Sequence, residues 1–212
     1  MSKNINISAR TVGSLLGKSP WENNWEAFMK IVKPPRVKVG NPCSHGIKYE
    51  KEAIDMYKII SGNNNVTIDK KMHRHTKHNY ITGQVDGIVE FDNGGRAILE
   101  VKCPGYEILN TEDFKISSLY WVQVQIYMEL LDIDVAHYCE YYRFNDNNCF
   151  FRWKEINRDR VWFGSVSTKM DEMVNLIITP SDETYNPCEK ILGKKRGNTS
   201  LDNNPSKKHK KD

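Results

Sequence analysis

The chain has 212 residues, 39% of them hydrophobic, and a formal net charge of +4. This length suits one sizeable hydrophobic core, and the lack of any run of about 18 apolar residues excludes a membrane-spanning helix. The amino terminus has no apolar signal segment, and the five cysteines are scattered with no Cys-x-x-Cys pair, which disfavours a disulfide framework and a zinc knuckle. We expect a soluble intracellular protein with reduced cysteines and no contact with membranes.

The positive charge is concentrated at the carboxyl end. Residues 189–212 contain eight Lys or Arg and three acidic residues, so residues 1–188, with 23 bases and 24 acids, are almost neutral. We predict a folded domain over 1–180 and a basic disordered tail over 181–212. Affinity for nucleic acid must then come from a local basic groove or from the tail. The tail allows three roles that the sequence does not rank: a nuclear address, a non-specific DNA contact and a solubilising end.

Three helices are predicted before the first strand. The segment SARTVGSLLG predicts a helix capped by Ser8 and ended by Gly17. A second helix is predicted over 25–32 and a third over 46–61. The third helix places a carboxylate, Glu50, within its apolar face, which is formed by Ala53, Ile54, Tyr57 and Ile60. Such an acid belongs either to a functional site or to a buried ion pair, for which Arg10 is a candidate base.

The remaining elements alternate between sheet and helix. They are, in chain order, a strand over 66–75, a hairpin around the turn Asp92-Asn93-Gly94, a helix over 119–131 capped by Ser117 or Ser118, a second hairpin over 135–143 and 149–156, and a helix over 158–177. The helix over 119–131 is apolar almost all round, yet it carries Gln123 between Tyr120 and Tyr127. This order predicts an α/β fold with a central mixed β-sheet flanked by helices.

The first hairpin has a register that separates polar from apolar side chains. A three-residue loop with Gly94 in the left-handed conformation places Asp86 opposite Glu100 and Gln84 opposite Lys102. The other face is then wholly apolar and consists of Val85, Gly87, Val89, Ala97, Leu99 and Val101. A shift by one residue would mix polar and apolar side chains on both faces. We therefore predict two opposed carboxylates about 5 Å apart at Cβ.

Opposed carboxylates need positive charge near them. Like charges about 4 Å apart repel by about 4 kcal/mol at an effective dielectric constant near 20. Lys102 supplies one positive charge, and Glu50 would add a third carboxylate. Three acids and one base suit a hard divalent cation such as Mg²⁺ or Mn²⁺. Beside that cation Lys102 can hold an attacking hydroxide or the negative charge that develops on phosphorus, so the pattern predicts phosphodiester hydrolysis.

These residues also resemble a known family. Asp86 followed by Glu100-Val101-Lys102 resembles the D-(x)n-E-x-K core of the PD-(D/E)xK nuclease superfamily. The lambda exonuclease and YqaJ-type viral recombinase group within it is similar in five segments, which are ISARTVGSLLGKSPW, GIKYEKEAIDMYKIISG, YITGQVDGIVE, LEVKCP and YWVQVQIYM. The resemblance implies a restriction-endonuclease-like domain that degrades double-stranded DNA from the 5′ end in viral or phage recombination or repair. It also implies a homo-oligomer, a trimer by likeness, and makes a single-strand annealing protein a candidate partner.

The resemblance implies roles for single residues. Asp86 and Glu100, with the carbonyl of Val101, would ligate Mg²⁺ or Mn²⁺, and Lys102 would orient the water nucleophile. Glu50 matches the helical acid of the group.

On the later helix, Gln123 and Tyr120 match the polar residues that the group places beside its active site, and Tyr120 would also contact the DNA. The sequence departs from the group where Gln84 replaces a phosphate-holding hydroxyl. An arginine upstream of the first helix is also missing, so a 5′-phosphate pocket would use Ser8, Arg10 or Lys18.

Other interpretations stay open. A structure-specific or nicking endonuclease would share the chemistry, and a catalytically silent scaffold would bind DNA ends through Arg10, Lys18 and the tail. The spacing of His73, His75 and His78 favours an exposed edge over a zinc site. Trp21 and Trp25 are expected to anchor a helix on the core more readily than to stack on unpaired bases.

Overall fold

The computed structural model describes residues 5–34, 44–105 and 114–178. The predicted tail over 181–212 lies outside them. The helices within these ranges are α1 (Ala9–Leu15), α2 (Asn24–Val32), α3 (Ser44–Ser61), α4 (Ser118–Leu131) and α5 (Arg160–Ile178). The strands are β1 (Ile7–Ser8), β2 (Val66–Ile68), β3 (His73–Arg74), β4 (Ile81–Gly83), β5 (Gly87–Glu90), β6 (Arg96–Lys102), β7 (Val135–Asn145) and β8 (Asn148–Asn157).

The central sheet has five strands in the order β2-β5-β6-β7-β8. Strands β6 and β7 are parallel, and the other neighbouring pairs are antiparallel. A smaller sheet has the order β1-β4-β3, in which β1 and β4 are parallel. The predicted α/β fold with a central mixed sheet flanked by helices is confirmed.

Two hydrophobic cores lie on opposite faces of the central sheet. Helix α3 packs through Ala53, Ile54 and Tyr57 on one face, against side chains that include Leu99 and Val101. Helices α1, α2, α4 and α5 contribute to the core on the other face, which includes Ile98. Successive residues of a strand point to opposite faces. Glu100 therefore points away from α3 and toward α4.

The helix termini follow from capping residues. The Ser8 hydroxyl accepts a hydrogen bond from the Thr11 amide at 3.2 Å, and Ser117 caps α4 in the same way. Gly17 follows α1 with a φ of 68°, a conformation that glycine adopts without a steric penalty. In α3 the prediction that Ile60 belongs to the apolar face is wrong: its side chain is exposed, because the last turn extends beyond the packed face.

The hairpin register is confirmed where the two strands pair. Gly87 pairs with Leu99 and Glu90 with Arg96, and Gly94 has a φ of 81°. The ladder begins at Gly87, however, so the predicted cross-strand pairing of Asp86 with Glu100 and of Gln84 with Lys102 does not form. Residues 84–86 leave the strand, because the Asp86 carboxylate accepts a hydrogen bond from the Val101 amide at 2.7 Å.

This bend moves one apolar side chain to the other core. Val85 was predicted to share a face with Val89, but it packs in the core that contains α4, whereas Val89 packs in the core that contains α3.

The predicted strand over 66–75 is also wrong in one respect. It is divided into β2 and β3, which belong to different sheets. Between them the Asp69 carboxylate accepts a hydrogen bond from the Lys71 amide at 2.8 Å, which folds the chain into a turn.

Within the described ranges, no helix has the length and apolar character needed to cross a bilayer.

Candidate active site

Asp86, Glu100 and Lys102 come together where the bend before β5 meets β6. The hydrogen bond from the Val101 amide holds the Asp86 carboxylate against the strand that carries the other two residues. The Lys102 ammonium donates a hydrogen bond to Glu100 Oε1. The structure thus unites the three predicted residues, although it does so through a backbone contact and not through a cross-strand pair.

Glu100 is the most deeply buried acid of this group. Its side chain is 1% exposed, and its second oxygen, Oε2, has no hydrogen-bond partner among the described residues. Burial, together with the negative charge of Asp86, raises the pKa of Glu100 to about 8, and Lys102 acts against both effects. A buried carboxylate oxygen without a partner is unfavourable unless a cation or a proton satisfies it.

Lys102 stays positively charged at this site. Burial alone would lower the pKa of Lys102, but the charges of Glu100 and Asp86 outweigh burial and raise it. Its ammonium nitrogen lies 5.2 Å from the centre of the Tyr120 ring. The side chain can therefore donate hydrogen bonds to an anionic ligand, and it cannot act as a base near neutral pH.

Helix α4 adds a second line of polar groups. The Gln123 amide donates a hydrogen bond to the Tyr127 hydroxyl at 2.6 Å, and Gln123 Oε1 is buried without a partner among the described residues. Burial raises the pKa of Tyr127, and the nearby charge of Glu100 adds to this effect. Two buried oxygens without partners, on Glu100 and Gln123, thus belong to the same neighbourhood.

Glu50 approaches the site from the other face of the sheet. Burial raises its pKa, the charge of Asp86 raises it further, and Lys70 and Lys102 act in the opposite direction. Asp86 and Lys102 thus influence Glu50 electrostatically, and no ion pair joins Glu50 to Arg10 in the described part of the chain. Over the ranges that the structure describes, no three His, Cys, Asp or Glu side chains form a group that could hold a metal ion. The groups that could hold a cation at this site are therefore two carboxylates, those of Asp86 and Glu100, and the carbonyl of Val101 on β6.

A family model decides the assignment of the chain. The YqaJ-like viral recombinase domain matches residues 2–133, which is more than half of the sequence. The chain belongs to this family. The match includes Glu50, Asp86, Glu100 and Lys102, and the predicted resemblance is therefore confirmed. No curated protein matches the sequence significantly.

Solved structures share the fold of this YqaJ-like domain. The alkaline exonuclease LHK-Exo from Laribacter hongkongensis aligns with a TM-score of 0.65 and 18% identity, covering 81% of this chain and 87% of that chain. Its complex with dAMP gives the same values. A phage related exonuclease from Haemophilus somnus 129PT aligns with a TM-score of 0.58 and 15% identity, covering 82% of this chain and 92% of that chain. At these identities the likeness establishes the fold.

The predicted phosphate-binding residues of the YqaJ-like domain lie around α1. Ser8 is exposed, and its hydroxyl caps α1 and contacts the Thr11 hydroxyl at 2.8 Å. Arg10 is exposed on the same helix, and Lys18 is exposed just after it. Gln84 is exposed immediately after β4. All four side chains are accessible to a ligand.

The sequence-based predictions of burial were wrong for Trp21 and His78. Trp21 was expected to anchor a helix on the core, but it is 60% exposed, whereas Trp25 packs against the core and stacks on Phe28 as expected. His78 was expected at an exposed edge, but it is buried and lies 3.0 Å from Asp171 on α5. No local pattern could have shown either result, because each depends on contacts between distant segments.

Proposed function

We propose that this YqaJ-like domain is a metal-dependent deoxyribonuclease that hydrolyses double-stranded DNA from its ends in the 5′ to 3′ direction, in viral or phage recombination or repair. The observation that carries the proposal is the buried Glu100 carboxylate, which lies beside Asp86 and a charged lysine and has one oxygen that no described residue pairs with. The fold shared with proteins described as an alkaline exonuclease and a phage related exonuclease supports it.

The donor set fits a hard divalent cation. Asp86, Glu100 and the Val101 carbonyl would hold Mg²⁺ or Mn²⁺, which prefer oxygen ligands. A cation at this place would satisfy Glu100 Oε2 and neutralise the repulsion between the two acids. When bound, it would supply Lewis-acid polarisation of the scissile phosphodiester.

The chain's own side chains account for the rest of the chemistry. The Lys102 ammonium would donate hydrogen bonds to the attacking water and to the charge that develops on the phosphate oxygens. Gln123, whose Oε1 has no partner in the described part of the chain, would orient that water from α4. Glu50 would contribute to catalysis from α3, and Tyr120, whose ring lies beside Lys102, would contact the DNA. Ser8, Arg10, Lys18 and Gln84 would contact phosphates of the incoming strand.

The remaining predictions extend this proposal to the whole chain. We propose that residues 1–180 form the nuclease domain and that the basic tail over 181–212 is separate from catalysis. On the basis of the family resemblance, we also propose that the protein forms a trimer and that a single-strand annealing protein is its partner.

The test is digestion of linear duplex DNA with Mg²⁺ or with EDTA. We expect cleavage with Mg²⁺, none with EDTA, and none with Lys102→Ala, while that variant keeps its affinity for DNA in a gel-shift assay. Lys169→Ala, which changes an exposed lysine on α5, is the matched control and should cleave normally. Activity that survives both EDTA and Lys102→Ala would refute the mechanism.

The direction and mode of digestion need separate substrates. A duplex blocked at both ends and a closed circle should both resist the protein, and a duplex labelled at the 5′ terminus should release its label first. Cutting of the closed circle would replace the exonuclease assignment with that of an endonuclease of the same superfamily.

A further inference from the structure

Trp21 exposes a large apolar ring on a loop that is firmly held. The Ser19 hydroxyl accepts hydrogen bonds from the amides of Trp21 and Glu22, at 3.2 and 3.3 Å. Glu22 forms an ion pair with Lys30 of α2, and Asn23 caps that helix in a reciprocal arrangement with Glu26. The indole is thus 60% exposed although its backbone is fixed on both sides. An exposed ring in a fixed position loses the benefit of burial but needs little further ordering when a ligand binds.

The ring lies next to the proposed catalytic residues. Its centre is 6.5 Å from that of Tyr120, and the Tyr120 ring is in turn 5.2 Å from the Lys102 ammonium. On the loop side, the guanidinium of Arg10 lies 5.5 Å from the indole centre. The exposed indole therefore has one cation, Arg10, against it, and the Tyr120 ring separates it from a second cation, Lys102.

This arrangement suits a nucleobase joined to phosphates. Aromatic rings stack on bases of any sequence, and a cation beside the ring attracts the adjoining phosphate. Inside a duplex the neighbouring base pairs cover both faces of each base, so only a base at a strand end, or one without a partner, offers a free face. We propose that Trp21 is a stacking platform for the unpaired terminal base of the strand that enters the site, with Arg10 on the adjoining phosphate. This inference rests on the proposed function and names the substrate feature that the site recognises.

The test compares two DNA ends that differ only in their bases. One duplex carries a short unpaired overhang with normal bases, and the other carries the same overhang built from abasic nucleotides. Affinities are measured in EDTA, so that binding is not followed by cleavage. The unaltered chain should bind the base-bearing end more tightly than the abasic end by about 5- to 150-fold. Trp21→Ala should lose this preference and keep the affinity for the abasic end, and Trp21→Phe should keep part of the preference.

Phe144→Ala is the matched control, since it removes an exposed aromatic ring from the end of β7. It should bind both ends as the unaltered chain does. The quenching of 2-aminopurine in the overhang gives an independent readout of stacking, which Trp21→Ala should abolish and Phe144→Ala should retain.

The outcomes separate this inference from the proposed function. Equal affinity of the unaltered chain for the two ends overturns the stacking role, and so does an equal loss on both ends in Trp21→Ala, which would indicate a structural role only. The proposed function fails on a different result, the absence of any cleavage of linear duplex DNA with Mg²⁺.

Discussion

At the scale of single residues, Glu100 is a carboxylate placed where a carboxylate is unfavourable. It is buried, the negative charge of Asp86 acts on it, and only one of its oxygens is paired among the described residues. Buried acids with strongly raised pKa values are more frequent at functional sites than in ordinary cores. Lys102 reduces this penalty without removing it, because it reaches a single oxygen. We therefore propose that this residue serves ligand binding and not the stability of the fold.

This placement predicts a pH-dependent stability in the absence of divalent cations. The pKa of Glu100 rises from an ordinary 4.5 to about 8 on folding, so its contribution to stability is full below the lower value and is lost as the pH rises through the upper one. In EDTA the free energy of unfolding should fall between pH 5 and pH 8 by an amount on the order of a few kcal/mol. Urea denaturation at several pH values measures this decline.

Glu100→Gln removes the titrating group and should flatten the profile over that range. Glu172→Gln, at an exposed position of α5, should leave the decline unchanged. A decline of the same size in Glu100→Gln would show that another group causes it.

At the scale of elements, the contact between β4 and α4 positions the polar groups of the helix. A Cβ added to Gly83 would lie 2.6 Å from Cε1 of the Tyr127 ring and 2.8 Å from Leu130. Tyr127 accepts the hydrogen bond from Gln123, so the absence of a side chain at Gly83 lets the helix approach the strand closely enough to place both groups. The glycine is needed for this close approach, and not for a special backbone angle.

We therefore expect Gly83→Ala to be harmful in two ways. Because the ring of Tyr127 must move, the variant should lose about 1–3 kcal/mol of stability, and DNA cleavage should fall because Gln123 loses its fixed position. Gly164→Ala is the matched control on the exposed side of α5, where nothing lies within 4 Å of the added carbon. It should be neutral or stabilise the protein by up to about 1 kcal/mol. Equal stability and activity in the two variants would contradict the packing argument.

Elements governed by local chemistry could be predicted from the sequence, and those governed by distant contacts could not. The caps at Ser8 and Ser117 and the hairpin turn at Gly94 depend on neighbouring residues, and the structure has them where the patterns indicate. The bend at Asp86 depends on a bond to the Val101 amide, which is fifteen positions away and forms only in the folded chain. The same limit applies to His78, whose partner on α5 is 93 positions away.

At the site, the pattern of acids and lysine predicted that Asp86, Glu100 and Lys102 lie close together, but the predicted geometry was wrong. Strict alternation placed Asp86 directly across from Glu100, whereas the structure unites them through the backbone of Val101. The alternation of side chains along the strands also could not predict from which face of the sheet Glu50 approaches. Since α3 packs on the face that carries Leu99 and Val101, Glu50 reaches the site from the side opposite to Glu100.

At the scale of the whole molecule, the central sheet separates two cores, and the candidate site lies where strand β6 passes between them. Leu99 and Val101 secure this strand in one core and Ile98 in the other. Strand β6 contributes side chains to both cores. A change in the repulsion between Asp86 and Glu100 should therefore alter the stability of both cores. Binding of a cation at the site should for this reason stabilise the entire fold.

A ligand that binds only the folded state at a hundred times its dissociation constant adds about 2.7 kcal/mol to the free energy of unfolding. For a chain of this size that corresponds to a rise of about 5–10 °C in Tm. We expect Mg²⁺ or Mn²⁺ to produce such a rise in thermal unfolding, with Na⁺ at matched ionic strength as the control. The rise should be larger at pH 9 than at pH 6, because a proton on Glu100 competes with the cation. Glu100→Gln should show little of it, and a full rise in that variant would place the cation elsewhere.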